Sequence, residues 1–264
     1  MMPAEFDITD KVVFITGAGR GIGKGIAQVL AEAGADVAIN ALTPKYVDGL
    51  AKEMAKATGR RVVPVIGDMT KPEGVKRAVD QVLETFGRID ILVNALGDSI
   101  RKPLVALPGT EGALTPISDE DLRFIMDINL TEALLCTRAV GPHMLARKSG
   151  KVINVASWTA HQGGKNIVLY TTAKTALAGF TRSLAIEWAP HGVQVNCLAP
   201  GLFPDVVTMG PERLRQSEER AKKDVPLGRP GRLRECGLLA LYLASSASDY
   251  MTGQTILLDG GLGL

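Results

Sequence analysis

The chain reads as one α/β domain, a parallel sheet with helices packed on both faces, and three observations predict it. Short apolar runs that suit strands alternate with longer amphipathic runs that suit helices along most of the sequence. The first of the strand runs, Val12–Ile15, is apolar throughout, as a strand covered on both faces requires. No repeat, low-complexity tract or linker divides the 264 residues, a length that buries a sizeable core.

The first unit is Lys11-Val-Val-Phe-Ile-Thr16-Gly17-Ala-Gly19-Arg20-Gly21-Ile22-Gly23. After it, Ile22, Ile26, Val29 and Leu30 recur at helical spacing, so the period changes from strand to helix at the glycines. Glycines there permit backbone angles that other residues avoid and leave room for a close ligand. The following helix N-terminus offers free amides and the positive end of its dipole to a phosphate. The register is not Gly-x-Gly-x-x-Gly, because Ile22 follows Gly17-x-Gly19 and Lys24 follows Gly19-x-Gly21. The pattern is Thr16-Gly17-x-x-x-Gly21-x-Gly23, which taken alone suits a structural tight turn as well as a phosphate cradle.

Gly34 marks a helix end, and 35–41 form a second strand closing on Asn40-Ala41. Residues 44–58 read as helix, 61–66 as strand, 72–86 as helix and 89–94 as strand, an alternation that implies right-handed crossovers. The rhythm breaks over 95–116, where Pro103, Pro108, Gly109, Gly112 and Pro116 exclude a regular element. A loop of that length in a compact domain carries function or moves. Ser118 or Asp119 caps a helix running to about Arg147, followed by a strand over 151–156, a helix over 173–188 and a sixth strand over 193–198. The segment 199–223 opens rich in Gly and Pro and closes as a charged helix. A helix over 234–246 and a seventh strand over 254–258 complete the chain.

Composition excludes several classes. Hydrophobic residues at 46% and charged residues at 22% describe an ordinary globular protein, and a net charge of +2 gives no argument for nucleic acid or an anionic membrane. No apolar run is long enough to span a bilayer, and Met1-Met-Pro-Ala-Glu-Phe-Asp7 lacks a secretory pattern. Cys136, Cys197 and Cys236 are odd in number and far apart, which disfavours both a disulfide framework and a zinc site, and no His, Cys, Asp and Glu cluster has metal-ligand spacing. A reduced, cytoplasmic compartment is the expectation, with no metal.

Open α/β sheets bind ligands outside the carboxyl ends of their strands. That collects Gly17 to Gly23, Asn40, Asp68, Asn94 to Gly97, Ser157, Pro200 and Gly201, with Asn129, Tyr170 and Lys174 on helices. Tyr170 and Lys174 stand four apart, on one helix face. A nearby ammonium favours the phenolate and brings the tyrosine pKa down toward usefulness at neutral pH. Ser157 closes the preceding strand, from where its hydroxyl reaches a carbonyl that Tyr170 protonates.

Taken together, Thr16-Gly-x-x-x-Gly21-x-Gly23, Asn94-Ala95-Leu96-Gly97, Asn129, Ser157, Tyr170-Thr-Thr-Ala-Lys174 and Pro200-Gly201 resemble the short-chain dehydrogenase/reductase superfamily. Within it, the chain looks most like the 3-oxoacyl-carrier-protein reductase and gluconate dehydrogenase group. The resemblance implies a Rossmann fold with a doubly wound, seven-stranded parallel sheet, and hydride transfer between NAD(P)(H) and a ketone or secondary alcohol. It assigns Tyr170 as acid/base, Lys174 as the residue that tunes it and holds the nicotinamide ribose, Ser157 as the carbonyl anchor, and Asn129 as holder of a relay water. Cofactor contacts fall on Thr16, Gly17, Gly19, Arg20, Gly21, Ile22, Gly23, Asn40, Asp68, Met69, Asn94, Gly97, Tyr170, Lys174, Pro200 and Gly201. The second strand ends without the acid that NAD-preferring relatives place there, and Arg20 suits a 2′-phosphate, so NADP(H) is favoured over NAD(H). The resemblance also implies a homotetramer, or a dimer, acting on a small carbonyl or alcohol.

Three departures stand out: Ala95-Leu96 in place of Asn-Ala, a longer loop over 105–116, and Asp205 where relatives often carry threonine, with Thr208 nearby. A dinucleotide-binding sensor without turnover and a sugar-nucleotide epimerase or dehydratase are the rival readings; the Ser157, Tyr170 and Lys174 set opposes the first, and the chain length opposes the second.

Overall fold

The computed structural model describes residues 3–106, 108–109, 115–206 and 208–264, so part of the loop expected over 95–116, Gly112 included, lies outside the described residues. Seven strands form one parallel sheet: β1 Val12–Ile15, β2 Asp36–Ala41, β3 Val62–Ile66, β4 Ile91–Asn94, β5 Gly150–Val155, β6 Val193–Pro200 and β7 Thr255–Leu258, in the spatial order β3-β2-β1-β4-β5-β6-β7. The order reverses between β1 and β4, so the crevice beyond their carboxyl ends is the switch point where such sheets bind ligands.

One face carries α1 (Gly21–Glu32), α2 (Asp48–Thr58) and α9 (Leu233–Ala244) over a core that includes Ile15, Ile26, Leu30, Ile39 and Leu241. The other carries α3 (Pro72–Phe86), α5 (Glu132–Arg147) and α7 (Val168–Trp188) over Phe14, Val79, Leu92, Val140 and Leu184. Between β4 and α5, α4 (Asp119–Met126) runs through a single π-helical segment, Asp127–Thr131, before α5 begins. Ser118 is the cap of α4: its hydroxyl accepts from Asp121 N at 3.1 Å and Asp121 Oδ2 accepts from Ser118 N at 2.9 Å. The short α6 (Thr159–Gln162) follows β5, and α8 (Pro211–Asp224) carries the charged face expected there.

Several boundaries differ from those the sequence predicts, each for a tertiary reason. Residues 44–58 divide into a 3₁₀ turn, Pro44–Tyr46, and α2, with Val47 between them buried in the core. α7 begins at Val168, five residues before the expected start, with no side-chain cap to announce it; buried Ile167 and Leu169 fix its first turn instead. That extension places Tyr170 and Lys174 on one continuous helix. Strand β6 runs on through Ala199 and Pro200 by pairing with Leu257 and Leu258 of β7.

Candidate functional site

The turn after β1 needs its glycines for distinct reasons. Gly17 and Gly21 have φ of 62° and 56°, in the left-handed region. A Cβ on Gly17 would stand 2.8 Å from Leu96 Cα, and one on Gly23 would stand 2.5 Å from the Gly17 carbonyl oxygen. Helix α1 starts with neither a side-chain cap nor an acidic residue in its first turn, so its free amides and positive dipole end face outward. They open onto a cavity of about 550 Å³ walled by this turn, by Ala41 to Thr43 and Tyr46, by residues 95–99, and by Tyr170 and Lys174.

A second cavity of about 270 Å³ adjoins it, lined by Ser157, Trp158, Arg101, Lys165, Leu202 and Arg220 among others. Tyr170 lines both. The Ser157 hydroxyl is hydrogen-bonded to Tyr170 and accepts from Thr159 N at 3.3 Å and Thr159 Oγ1 at 3.0 Å. Lys174 is buried below, donating from Nζ to the Val155 carbonyl at 2.8 Å, with its Nζ 5.9 Å from the Tyr170 ring centre. Asn129 sits in the π-helical segment, donating from Nδ2 to the carbonyls of Asp98 (2.8 Å) and Ile125 (2.9 Å). Its Oδ1 is buried without a partner. Gly97 separates it from the lysine: a Cβ there would lie 2.8 Å from Asn129 Oδ1 and 3.1 Å from Lys174 Nζ.

Burial governs the ionisable groups. It raises the Tyr170 pKa; the Ser157 hydroxyl opposes that, and the Asp98 carboxylate adds to it. The lowering by Lys174 expected from their spacing is not among the effects that decide the tyrosine's pKa, because the ammonium points down to Val155 and toward Glu132. Burial pushes Lys174 down to about 8 against the attraction of Glu132, and pushes Glu132 up to about 8 against the attraction of Lys174 and the Thr16 hydroxyl.

Comparison with known proteins settles the family. A family model described as enoyl-(acyl carrier protein) reductase matches residues 17–263. The 2-dehydro-3-deoxy-D-gluconate 5-dehydrogenase of Bacillus subtilis (strain 168) is 37% identical over 97% of this chain and 96% of its own length. The 3-oxoacyl-[acyl-carrier-protein] reductase of Thermotoga maritima is 34% identical over 96% and 97%. The chain belongs to the short-chain dehydrogenase/reductase family. Among solved structures, the gluconate 5-dehydrogenase from Burkholderia cenocepacia J2315 in complex with NADP and tartrate superposes with a TM-score of 0.87 at 34% identity, covering 98% of this chain and 97% of that one. As a member, the protein is an NAD(P)-dependent oxidoreductase of alcohol and ketone groups.

The residues singled out from sequence separate into those that line a cavity and those that hold its walls. Gly17, Gly19, Arg20, Gly21, Ile22, Gly23, Gly97, Tyr170 and Lys174 line the larger one, and Ser157, Tyr170 and Gly201 the smaller. Thr16, expected among the cofactor contacts, is buried behind the turn; its Oγ1 accepts from Ala95 N at 3.0 Å and Leu96 N at 3.3 Å, pinning the end of β4 to β1. Asn40 is likewise buried, donating from Nδ2 to the Val65 and Gly67 carbonyls while its Oδ1 accepts from Gly17 N at 3.4 Å.

Asn94 donates to Thr137 Oγ1 and Asn154 Oδ1, and Asn154 to Thr181 Oγ1, a buried polar chain that ties α5, β4, β5 and α7 together. Asp68 accepts from Thr70, Met69 is in the core, and Pro200 is buried with its carbonyl accepting from Trp158 N. These four sit outside both cavity walls. Arg20 is engaged: Nη1 lies 3.7 Å from Asp205 Oδ2 and donates to Thr208 Oγ1 at 3.3 Å, so the segment after β6 reaches across to the glycine turn.

Sequence reasoning missed Glu132, Asp98 and the cations Arg101, Lys165 and Arg220. Glu132, one turn after Asn129, was the most accessible signal. Among the described residues no group of three or more His, Cys, Asp or Glu is placed to hold a metal ion, and no helix is long and apolar enough to cross a membrane.

Proposed function

We propose that the protein interconverts the ketone and secondary alcohol of a small anionic oxo- or hydroxy-acid, using NADP(H) in preference to NAD(H). The observation that carries the reading is that Tyr170 lines both the dinucleotide-sized cavity and the smaller cavity beside Ser157. The larger cavity fits the cofactor: a glycine cradle whose Cβ atoms would collide, and an uncapped, acid-free helix N-terminus facing it.

When bound, NAD(P)H supplies the hydride. The chain's own residues supply position and a proton. Ser157 and Tyr170 present hydroxyls to one carbonyl oxygen, and in reduction Tyr170 gives that oxygen its proton; in oxidation it takes the proton back. Its raised pKa keeps it a proton donor at neutral pH. Lys174, anchored through one N–H on Val155, has further N–H groups for the cofactor ribose, and the orphaned Asn129 Oδ1 suits a water between them. Arg20 and Thr43 border the end of β2 where a 2′-phosphate would lie.

The anionic substrate is supported by Arg101, Lys165 and Arg220 in the smaller cavity and by relatives named for gluconate derivatives. Exposed Leu134 and Ile186 on α5 and α7 support self-association, into the homotetramer that the family resemblance implies. Three free, buried cysteines agree with a cytoplasmic setting.

The test is a panel of hydroxy-acids, their neutral ester analogues and simple ketones with both cofactors, on wild type and Tyr170→Phe. Turnover of acids above their esters, falling by about 10²–10⁴ in Tyr170→Phe, is the expected result. Full activity of Tyr170→Phe would remove the assignment.

A further inference from the structure

The smaller cavity has an apolar wall that the family assignment leaves unexplained. Trp158, Ile167, Leu202 and Leu262 line it beside Ser157 and Tyr170, and none of the four packs into a core cluster on either face of the sheet. Ile167 is buried and the other three are half-buried. Apolar side chains gathered at a cavity rather than in a core are covered when a ligand with apolar surface enters. Hydrogen bonds fix the position of Leu262. Gly260 and Gly261 turn the chain after β7 with φ of 67° and 89°. Asp259 Oδ1 accepts from Gly261 N at 2.9 Å, its Oδ2 from Gly263 N at 2.8 Å, and its carbonyl from Leu262 N at 3.2 Å. Gln162, the last residue of α6, donates from Nε2 to the Gly263 carbonyl at 2.5 Å. Because α6 begins two residues after Ser157, that bond ties Leu262 to the stretch that carries the serine. The charged lining is built separately: Lys102 N donates to the Asn166 carbonyl at 2.8 Å and Lys102 Nζ pairs with Asp121 at 2.6 Å, bringing the adjacent residues Arg101 and Lys165 to the same cavity.

We infer that the substrate acid carries an alkyl or aryl group that seats against this wall, and that Leu262 is the specificity-determining residue for it. The inference rests on the reading of the smaller cavity as the site of an anionic oxo- or hydroxy-acid, and names the class of acid. These four side chains offer no oxygen or carboxylate to a ligand, so a hydroxyl set against them gives up its water without a replacement partner. A polyhydroxy acid is therefore disfavoured, whereas each methylene buried there tightens binding by about fourfold. Leu262 is the member of the wall that can change without moving the reacting groups. Trp158 follows Ser157 directly, with its N–H on the Pro200 carbonyl, and Ile167 sets the first turn of the helix that carries Tyr170. Leu262 follows the last strand and meets that machinery through the cavity and the Gln162 bond.

The test is direct titration of the protein with butanoate, hexanoate, hexanamide and gluconate, in wild type and in Leu262→Ala, which needs no turnover. In wild type, hexanoate is expected to bind about sixteenfold more tightly than butanoate, and more tightly than gluconate. In Leu262→Ala the hexanoate-to-butanoate ratio is expected to fall to about fourfold or less. With the oxidised cofactor, kcat/KM follows the same order for 3-hydroxyhexanoate, 3-hydroxybutanoate and gluconate. Equal binding of butanoate and hexanoate in wild type would overturn the inference, and so would gluconate binding above hexanoate. Either result is read on the unaltered protein, so it stands even if the variant folds poorly. A ratio unchanged in a folded Leu262→Ala would remove the role of that residue. Hexanamide separates this inference from the reading beneath it: equal binding of hexanamide and hexanoate would remove the anionic assignment, while a surviving dependence on chain length supports the apolar wall.

Discussion

Gly97→Ala separates stability from catalysis at a single atom. The added methyl would meet Asn129 Oδ1 at 2.8 Å and Lys174 Nζ at 3.1 Å, against an ordinary contact beginning near 3.4 Å. Both obstacles are the ends of side chains, so they can withdraw by several tenths of an ångström without moving the backbone. The fold therefore loses about 1 kcal/mol or less, at the low end of overpacking costs, which for a chain of this size lowers Tm by about 2–4 °C. The atoms that withdraw are the amide oxygen aimed into the site and the ammonium beneath Tyr170. Misplacement on this scale costs about 10²-fold in rate, equivalent to about 2.7 kcal/mol of barrier. The assay is kcat at saturating cofactor and substrate alongside a thermal melt of the same preparation. A kcat within twofold of wild type, or a Tm fall large enough to account for the lost activity, would refute the reasoning.

Three further substitutions probe other parts of the site. Thr16→Val leaves the Ala95 and Leu96 amides without their acceptor, and a cost of about 1–3 kcal/mol should register as a fall in denaturation midpoint at unchanged m-value. Asp98→Asn removes a charge that raises the Tyr170 pKa; since alcohol oxidation needs the tyrosinate, its rate rises with pH, and that limb should move to lower pH in the variant. A limb that stays put or moves upward contradicts the electrostatic account. Arg20→Ala should raise the KM for NADPH by about tenfold and that for NADH by less than twofold, as a lost contact to a 2′-phosphate predicts. Equal changes for both cofactors would count against that role.

The residues proposed to react were legible because they are marked by local spacing. Tyr170 and Lys174 are one helical turn apart, Ser157 ends a strand, and Gly17, Gly21 and Gly23 mark a strand-to-helix turn wherever they occur. The start of α7 was not legible, because packing of Ile167 and Leu169 replaces the polar cap that would have signalled it. Thr16, Asn40 and Asn94 were expected among the cofactor contacts from the family resemblance. Strand ends also face neighbouring strands, and there Thr16 and Asn40 meet backbone groups while Asn94 meets the side chains of Thr137 and Asn154.

By itself, then, the sequence determined the alternation of strands and helices, the parallel sheet that follows from it, and the order of the groups proposed to react, since each depends on residues within a few positions of one another. Only the tertiary structure decided that Arg20 faces Asp205, that Asn94 reaches Asn154, and that Glu132 is buried within the field of Lys174. These are meetings between crossovers, which the chain acquires only when its layers close, and for Glu132 and Lys174 the burial gained there determines how far a charge is felt.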